Sequence, residues 1–396
     1  MGLFYTMANN VTSKIDFSEL SIGKVRDFHE SSPAAPGLVA TRGRELIDYT
    51  CFDVFGLRKN SKVIKAAQKA LEQEGLSTAS TRFLSGGRRC HRICEGRLCE
   101  LLSSQATLIF QSRNQAILSL ISCIADERDL LIVSNEIQSP FADAAYLVDS
   151  EVAYFDKSNL ESLSSIFEHY KSKRTLYLVL DAVSAYSGVI SQVPEILTLA
   201  QTHKAKLILD ESLSFGVLGS RGTGIKEHFK LIDPSLCSLL DFSSFTGAFG
   251  AALSGPKDVI ERIIVNSRSL AQEVPLSPAL TMGLIESFDL LEFKIAERQK
   301  LLRLTSIFSE GIDSEFGTSF TAPEIPCVTI PFKKLQSAIE FQAGLFAKGI
   351  LVETIQDMRP RSETAYLRFV ITLDHSTDLF QQTLTAIADL NKRMPI

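Results

Sequence analysis

Seven short apolar runs, most of them separated by helical patterns, constrain this chain more than any single motif. They are Thr107–Gln111, Leu131–Ser134, Glu151–Phe155, Thr175–Asp181, Lys206–Asp210, Ser238–Phe242 and Phe249–Ser254. Runs this short and continuously apolar are buried on both faces. Alternation with helices then predicts a mostly parallel sheet covered on both sides, an α/β architecture. Ligands of such sheets bind at the carboxyl ends of the strands. Asp210 and Ser243–Thr246 fall at those ends or in the loops beside them.

The helical segments have readable limits. Asn60 or Ser61 caps a helix that runs to Glu74 and stops at Gly75. Further helices are expected from His91 to Leu102, Asn159 to Lys171 and Pro194 to His203. Ala279–Leu304 reads as one long helix bridging two domains. Beyond it, strands at Cys327–Pro331, Leu351–Thr354 and Tyr366–Thr372 alternate with helices at Lys334–Lys348 and Thr377–Lys392. The expected organisation is an N-terminal arm or linker over 1–44, a large domain over 45–290 and a small α+β domain over 291–396. Glu45–Phe55 is read as the strand that enters the large domain.

Composition narrows the function. With 396 residues, 45% hydrophobic and 22% charged, the chain is ordinary globular protein. A net charge of −5 without a basic run argues against nucleic acid. Seven scattered cysteines suggest free thiols in a reducing compartment. No apolar run reaches the roughly 18 residues of a membrane span, and no signal-peptide pattern opens the chain. Gly2 and Thr6 stand at the spacing of an N-myristoylation signal, against which a frayed tail is the favoured reading.

Single motifs say less. Cys90, His91, Cys94 and Cys99 share a helix, but their spacing matches no zinc or redox pattern, so a core role is favoured and no metal is expected. No G-x-S-x-G elbow accompanies the serines. Gly216–Gly224 does not open a helix as a dinucleotide fingerprint must, and reads as a turn needing positive φ. Asp210 after Leu207–Leu209 is either an acid poised to hold a pyridinium nitrogen or a cap or loop ion pair.

At LDESLSFGVLGSRGTGIKEHF the chain resembles the α-oxoamine synthases, fold-type-I pyridoxal-phosphate enzymes. Its pattern is most similar to that of the lysine-less subunit of serine palmitoyltransferase. The resemblance extends through NSKVIKAAQKALEQEGLSTASTRFLSGGRRCH, LVLDAVSAYSGVISQVPEIL and LRFVITLDHSTDL, over roughly residues 45–390. It implies a large domain with a mostly parallel seven-stranded sheet and a small C-terminal domain. It also places Asp210 at the family's ring aspartate and Ser244 at its Schiff-base lysine. Leu213 falls where a histidine would be, Asp241 at the phosphate-binding threonine, Gln138 at the ring-stacking histidine, and Arg113 and Asn114 in the phosphate turn. A hydroxyl forms no aldimine, and a carboxylate at 241 repels a phosphate.

The resemblance therefore implies a subunit without catalysis of its own, both Asp210 and Ser244 being vestigial. Pyridoxal phosphate would be bound covalently by a lysine-bearing partner in a heterodimer. That pair would condense L-serine with a fatty acyl-CoA to 3-ketosphinganine on the cytosolic face of the endoplasmic reticulum. Arg82, Gln272 in QEVPLSP, and Arg368, which matches the family's substrate-carboxylate arginine, are the residues expected to face the partner's site or substrate. Two other readings stand beside it. One is a regulatory or binding protein on a decayed frame with no catalytic partner. The other is an active synthase using Lys257, which is poorly placed beyond Gly255.

Overall fold

The computed structural model describes residues 30–136, 140–157, 159–233, 235–316, 323–357 and 362–394. Its strands are β1 (Ser31–Pro33), β2 (Leu38–Thr41), β3 (Arg44–Asp48), β4 (Ala106–Phe110), β5 (Leu130–Ser134), β6 (Glu151–Phe155) and β7 (Leu176–Asp181). They continue with β8 (Lys206–Asp210), β9 (Cys237–Asp241), β10 (Ala251–Gly255), β11 (Cys327–Phe332), β12 (Ile350–Leu351), β13 (Glu353–Gln356) and β14 (Ala365–Val370).

All seven expected runs are strands of one sheet, ordered β4-β10-β9-β8-β7-β5-β6. The five from β9 to β6 pair in parallel; β10 runs antiparallel to both its neighbours. This is the fold-type-I arrangement that the resemblance implied. Every residue of β5 and β7 is buried, as strands covered by helices on both faces require. Helices Arg113–Ile124 and Lys257–Asn266 cover one face. The other is closed by a core that runs on into the C-terminal region through Leu301, Phe308, Phe341 and Phe369.

Three expectations change. The arm over 1–44 includes more structure than its polar composition suggests. Strands β1 and β2 form a hairpin-like sheet with β3, and β12 joins β3 in parallel. The strand is Arg44–Asp48 and so takes in only the first four residues of Glu45–Phe55, because Asp53 then turns the chain by accepting from the amides of Leu57 (2.7 Å) and Arg58 (3.0 Å). The long helix is two, Pro278–Glu292 and Ile295–Phe316. The buried Arg298 guanidinium caps the freed helix-end carbonyls at this break, donating to Leu291 O at 2.6 Å and to Glu292 O at 3.4 Å, and it also donates to Ser220 O in the glycine-rich turn.

In the C-terminal region β11, β14 and β13 make a three-stranded antiparallel sheet backed by helices Leu335–Ala347 and Thr377–Arg393. His375 ties it to β3. Its Nδ1 accepts from the Thr372 amide (3.0 Å), its Nε2 lies 3.1 Å from Asp48 O, and its ring stacks on Tyr49. Burial pushes this imidazole down to about 4, so it is neutral.

Candidate functional site at the carboxyl edge of the sheet

Parallel pairing sets Asp181 and Asp210 side by side at the ends of β7 and β8. Two neighbouring buried carboxylates need separate cations, and each has one. Lys157, just past β6, lies 2.8 Å from Glu136 and also contacts Asp181. Ser184 donates to the same Glu136 at 2.6 Å. Burial pushes the Asp181 carboxyl up to about 6 despite Lys157, and Glu136 adds to the rise.

Asp210 is 7% exposed. Its Oδ2 is bonded by the Arg113 guanidinium. Its Oδ1 accepts from the Ser212 amide (3.0 Å) and hydroxyl (2.6 Å). Arg113 opens the helix Arg113–Ile124, which Ser112 caps by accepting from the Gln115 amide at 3.2 Å. Its guanidinium lies 6.0 Å from the centre of the buried Phe141 ring. Burial opposes the charge on Arg113, but Asp210 and then Asp241 outweigh it, and the net shift holds the guanidinium protonated.

The loop after β9 carries the position that the resemblance assigns to the lysine. Asp241 accepts from the Ser243 amide (2.9 Å) and hydroxyl (2.8 Å), which starts a tight turn. Ser244 is buried in that turn. Phe245 follows in the left-handed region (φ 62°), fully buried against Phe52. Leu213 packs onto the core and offers no hydrogen bond in place of the expected histidine. Gln138 lies outside the described residues.

The remaining candidates are engaged within the chain. Arg82 forms a two-bond pair with Glu95 (2.5 and 3.0 Å), which also receives the Ile109 amide at 3.2 Å. Arg368 donates to Glu353, its direct cross-strand partner, at 2.5 Å and lies 4.9 Å over the Phe52 ring. Gln272 ends the short helix Arg268–Gln272 and is exposed. The segment after it is pinned by Gln111, which donates to Val274 O, and by His91, whose Nε2 is 2.8 Å from Leu276 O.

His91 Nδ1 accepts from the Arg88 amide (3.2 Å), so both ring nitrogens have structural partners and burial lowers its pKa. Cys94 is fully buried. Among the described residues no group of three or more His, Cys, Asp or Glu side chains could hold a metal ion. The glycine-rich turn is a turn: Gly216, Gly219, Gly222 and Gly224 all have positive φ.

A family model described as aminotransferase class I and II matches residues 54–387. The chain belongs to this family. A putative 8-amino-7-oxononanoate synthase of Trichodesmium erythraeum is 26% identical over 98% of this chain and 100% of its own length. A serine palmitoyltransferase of Sphingobacterium spiritivorum is 24% identical over 89% of this chain and 88% of its own. Among solved structures, the Sphingomonas wittichii serine palmitoyltransferase has a TM-score of 0.87 at 21% identity, covering 97% of this chain and 99% of its own. An SPT solved with a PLP internal aldimine has a TM-score of 0.88 at 20% identity, with the same coverage. These relatives are α-oxoamine synthases, the group that the motifs resemble, and they include 8-amino-7-oxononanoate synthases as well as serine palmitoyltransferases.

The family implies pyridoxal phosphate, and the residues present do not fit it. Ser244, which the resemblance sets at the lysine position, has no amine for a Schiff base. Asp210 already holds the Arg113 guanidinium on Oδ2 and Ser212 on Oδ1, so a ring nitrogen would have to compete with a resident cation. Asp241 sets a carboxylate where the resemblance puts the phosphate. Lys157 reaches the same edge of the sheet but is held between two carboxylates. Sequence reading missed Lys157, Glu136 and Asp181. All three stand at or just past strand ends, which was the signal available.

Proposed function

We propose that this chain is a non-catalytic subunit of an α-oxoamine synthase of the serine palmitoyltransferase kind. It would complete and stabilise the active site of a lysine-bearing homologue. One observation carries this reading: the frame is intact from β4 to β14, while the ring aspartate is consumed by Arg113 and the lysine position is Ser244. The partner would supply the amine that binds pyridoxal phosphate and would condense L-serine with a fatty acyl-CoA to 3-ketosphinganine. Attachment to the endoplasmic reticulum belongs to the same reading and would come through the partner or an acylated Gly2, which lies outside the described residues. No helix among the described residues is long and apolar enough to cross a membrane.

A second reading, a binding or regulatory protein without a catalytic partner, is favoured by a different observation. Arg82 and Arg368, the cations expected to serve a partner or substrate, are spent on Glu95 and Glu353. Affinity purification with mass spectrometry separates the two. A stoichiometric homologue bearing the family lysine supports the subunit reading; its absence, with the chain folded and alone, overturns it. For the chain by itself, added pyridoxal phosphate should give no aldimine band. A stable band abolished by replacing one of this chain's own lysines would overturn both readings.

A further inference from the structure

We propose that Arg113 is a built-in replacement for the cofactor ring: it occupies the cationic place opposite Asp210 and thereby closes this site to pyridoxal phosphate. This rests on the reading of the chain as a subunit that does not load its own cofactor. It goes further by naming the side chain responsible.

The argument starts from Asp210. A carboxylate at the tip of a central strand, 7% exposed, is tolerated only with a cation beside it. In the family that the chain resembles, a protonated ring nitrogen plays that part. Here the cation comes from the chain itself, 97 residues earlier in sequence. Nothing local compels the placement. An arginine in the first turn of a helix faces the positive end of the dipole, an unfavourable position. Its Nε is buried without a hydrogen-bond partner. Both costs are offset by the bond to Asp210.

The surroundings match a flat cation. Phe141 lies 6.0 Å from the guanidinium carbon, and Asp241 adds a second negative charge nearby. Ser212 completes Asp210 from the other side. A ring arriving here would have to break a buried charged pair before making its own, and its phosphate would meet Asp241. The charge on Asp210 is thus balanced without a ligand, which a subunit that leaves the cofactor to its partner requires.

The test uses the full chain and pyridoxamine 5′-phosphate, which has the ring and the phosphate but no aldehyde to react with surface lysines. Ring fluorescence titrations compare the wild type with Arg113→Gly, after circular dichroism has shown both folded. The expected result is binding at least about tenfold tighter in the variant. Equal affinity, or no binding by either folded protein, overturns the proposal. Where Arg113→Gly does not fold, the double variant Arg113→Gly/Asp210→Asn removes both charges and should fold. Failure of the double variant to recover would show that Arg113 serves something other than Asp210, and would also overturn the proposal. The measurement needs no partner. A chain that excludes the ring yet captures no homologue refutes the subunit reading alone; a chain that captures a homologue but shows no Arg113 effect refutes this inference alone.

Discussion

Asp181→Asn tests the electrostatics of the sheet edge. Burial, which Lys157 opposes and Glu136 reinforces, raises the Asp181 carboxyl from 3.8 to about 6. The folded state therefore holds its proton more tightly than the unfolded chain does. The stability this contributes is fully present below pH 3.8 and is lost as pH rises through about 6. A shift of about two units corresponds to about 3 kcal/mol over the whole window, at about 1.4 kcal/mol per unit. About 2 kcal/mol of it should fall between about pH 4.5 and pH 7. Asparagine cannot titrate, and Lys157 keeps Glu136 at 2.8 Å, so the variant does not orphan a charge. Urea unfolding of both proteins at several pH values and constant ionic strength gives the difference directly. Subtracting the variant's curve removes carboxylates whose shifts run the other way, such as Glu227 and Asp233. The stability of the wild type minus that of the variant should fall by about 2 kcal/mol as pH rises across this range. A difference that stays flat within about 0.5 kcal/mol, or that grows with pH, would refute the assignment of a raised carboxyl at 181.

Other substitutions read the frame. Gly224→Ala should destabilise by more than about 3 kcal/mol in urea unfolding, because φ is 98° there and a Cβ would come 2.1 Å from Glu211 Oε2. At Phe245 the usual order inverts. Both truncations lose a fully buried ring at about 3–5 kcal/mol, but with φ at 62° the glycine variant should be more stable than the alanine one by about 1 kcal/mol; equal stabilities or the reverse would count against the left-handed turn. Thiol titration of the native protein should find the half-buried Cys51 and Cys99 before Cys94, Cys237 and Cys327, whose thiols burial pushes up to about 12 or beyond.

Local pattern made the large sheet legible. Its strands are short apolar runs, and the glycines of the 216–224 turn sit where positive φ is needed. The small sheet of β1, β2, β3 and β12 was not legible, because β1 is short and polar and β12, the partner of β3, lies some 300 positions away. A pairing of that range leaves no local trace. The site divides in the same way. The losses at 213, 241 and 244 follow from alignment with a motif, so residue identity sufficed. The replacement at Asp210 needed a contact between Arg113 and a strand two elements beyond its own neighbours. A lone arginine opening a largely apolar helix just past a buried strand was the available hint, since it must find a counter-charge. Arg368 and Glu353 were hidden similarly, since only the antiparallel register of β13 and β14 makes them opposite each other.

The three arginines that a ligand-binding reading would use share one fate. Arg82 is paired with Glu95, Arg113 with Asp210 and Arg368 with Glu353. A site built to bind anionic substrates gains affinity by holding cations ready for them, so that ligand charge replaces water and not a resident carboxylate. Here an incoming carboxylate or phosphate would have to displace a charge already in place. Arg368 also bridges the two parts of the chain: it extends from β14 over Phe52 and reaches Ala185 O at 3.4 Å. His375 adds a second tie of this kind to Asp48 O. Internal pairing and these ties both favour a rigid body over a responsive pocket. If the chain serves a catalytic homologue, its contribution would then be shape and stability along the shared surface, and replacing these arginines should affect assembly before chemistry.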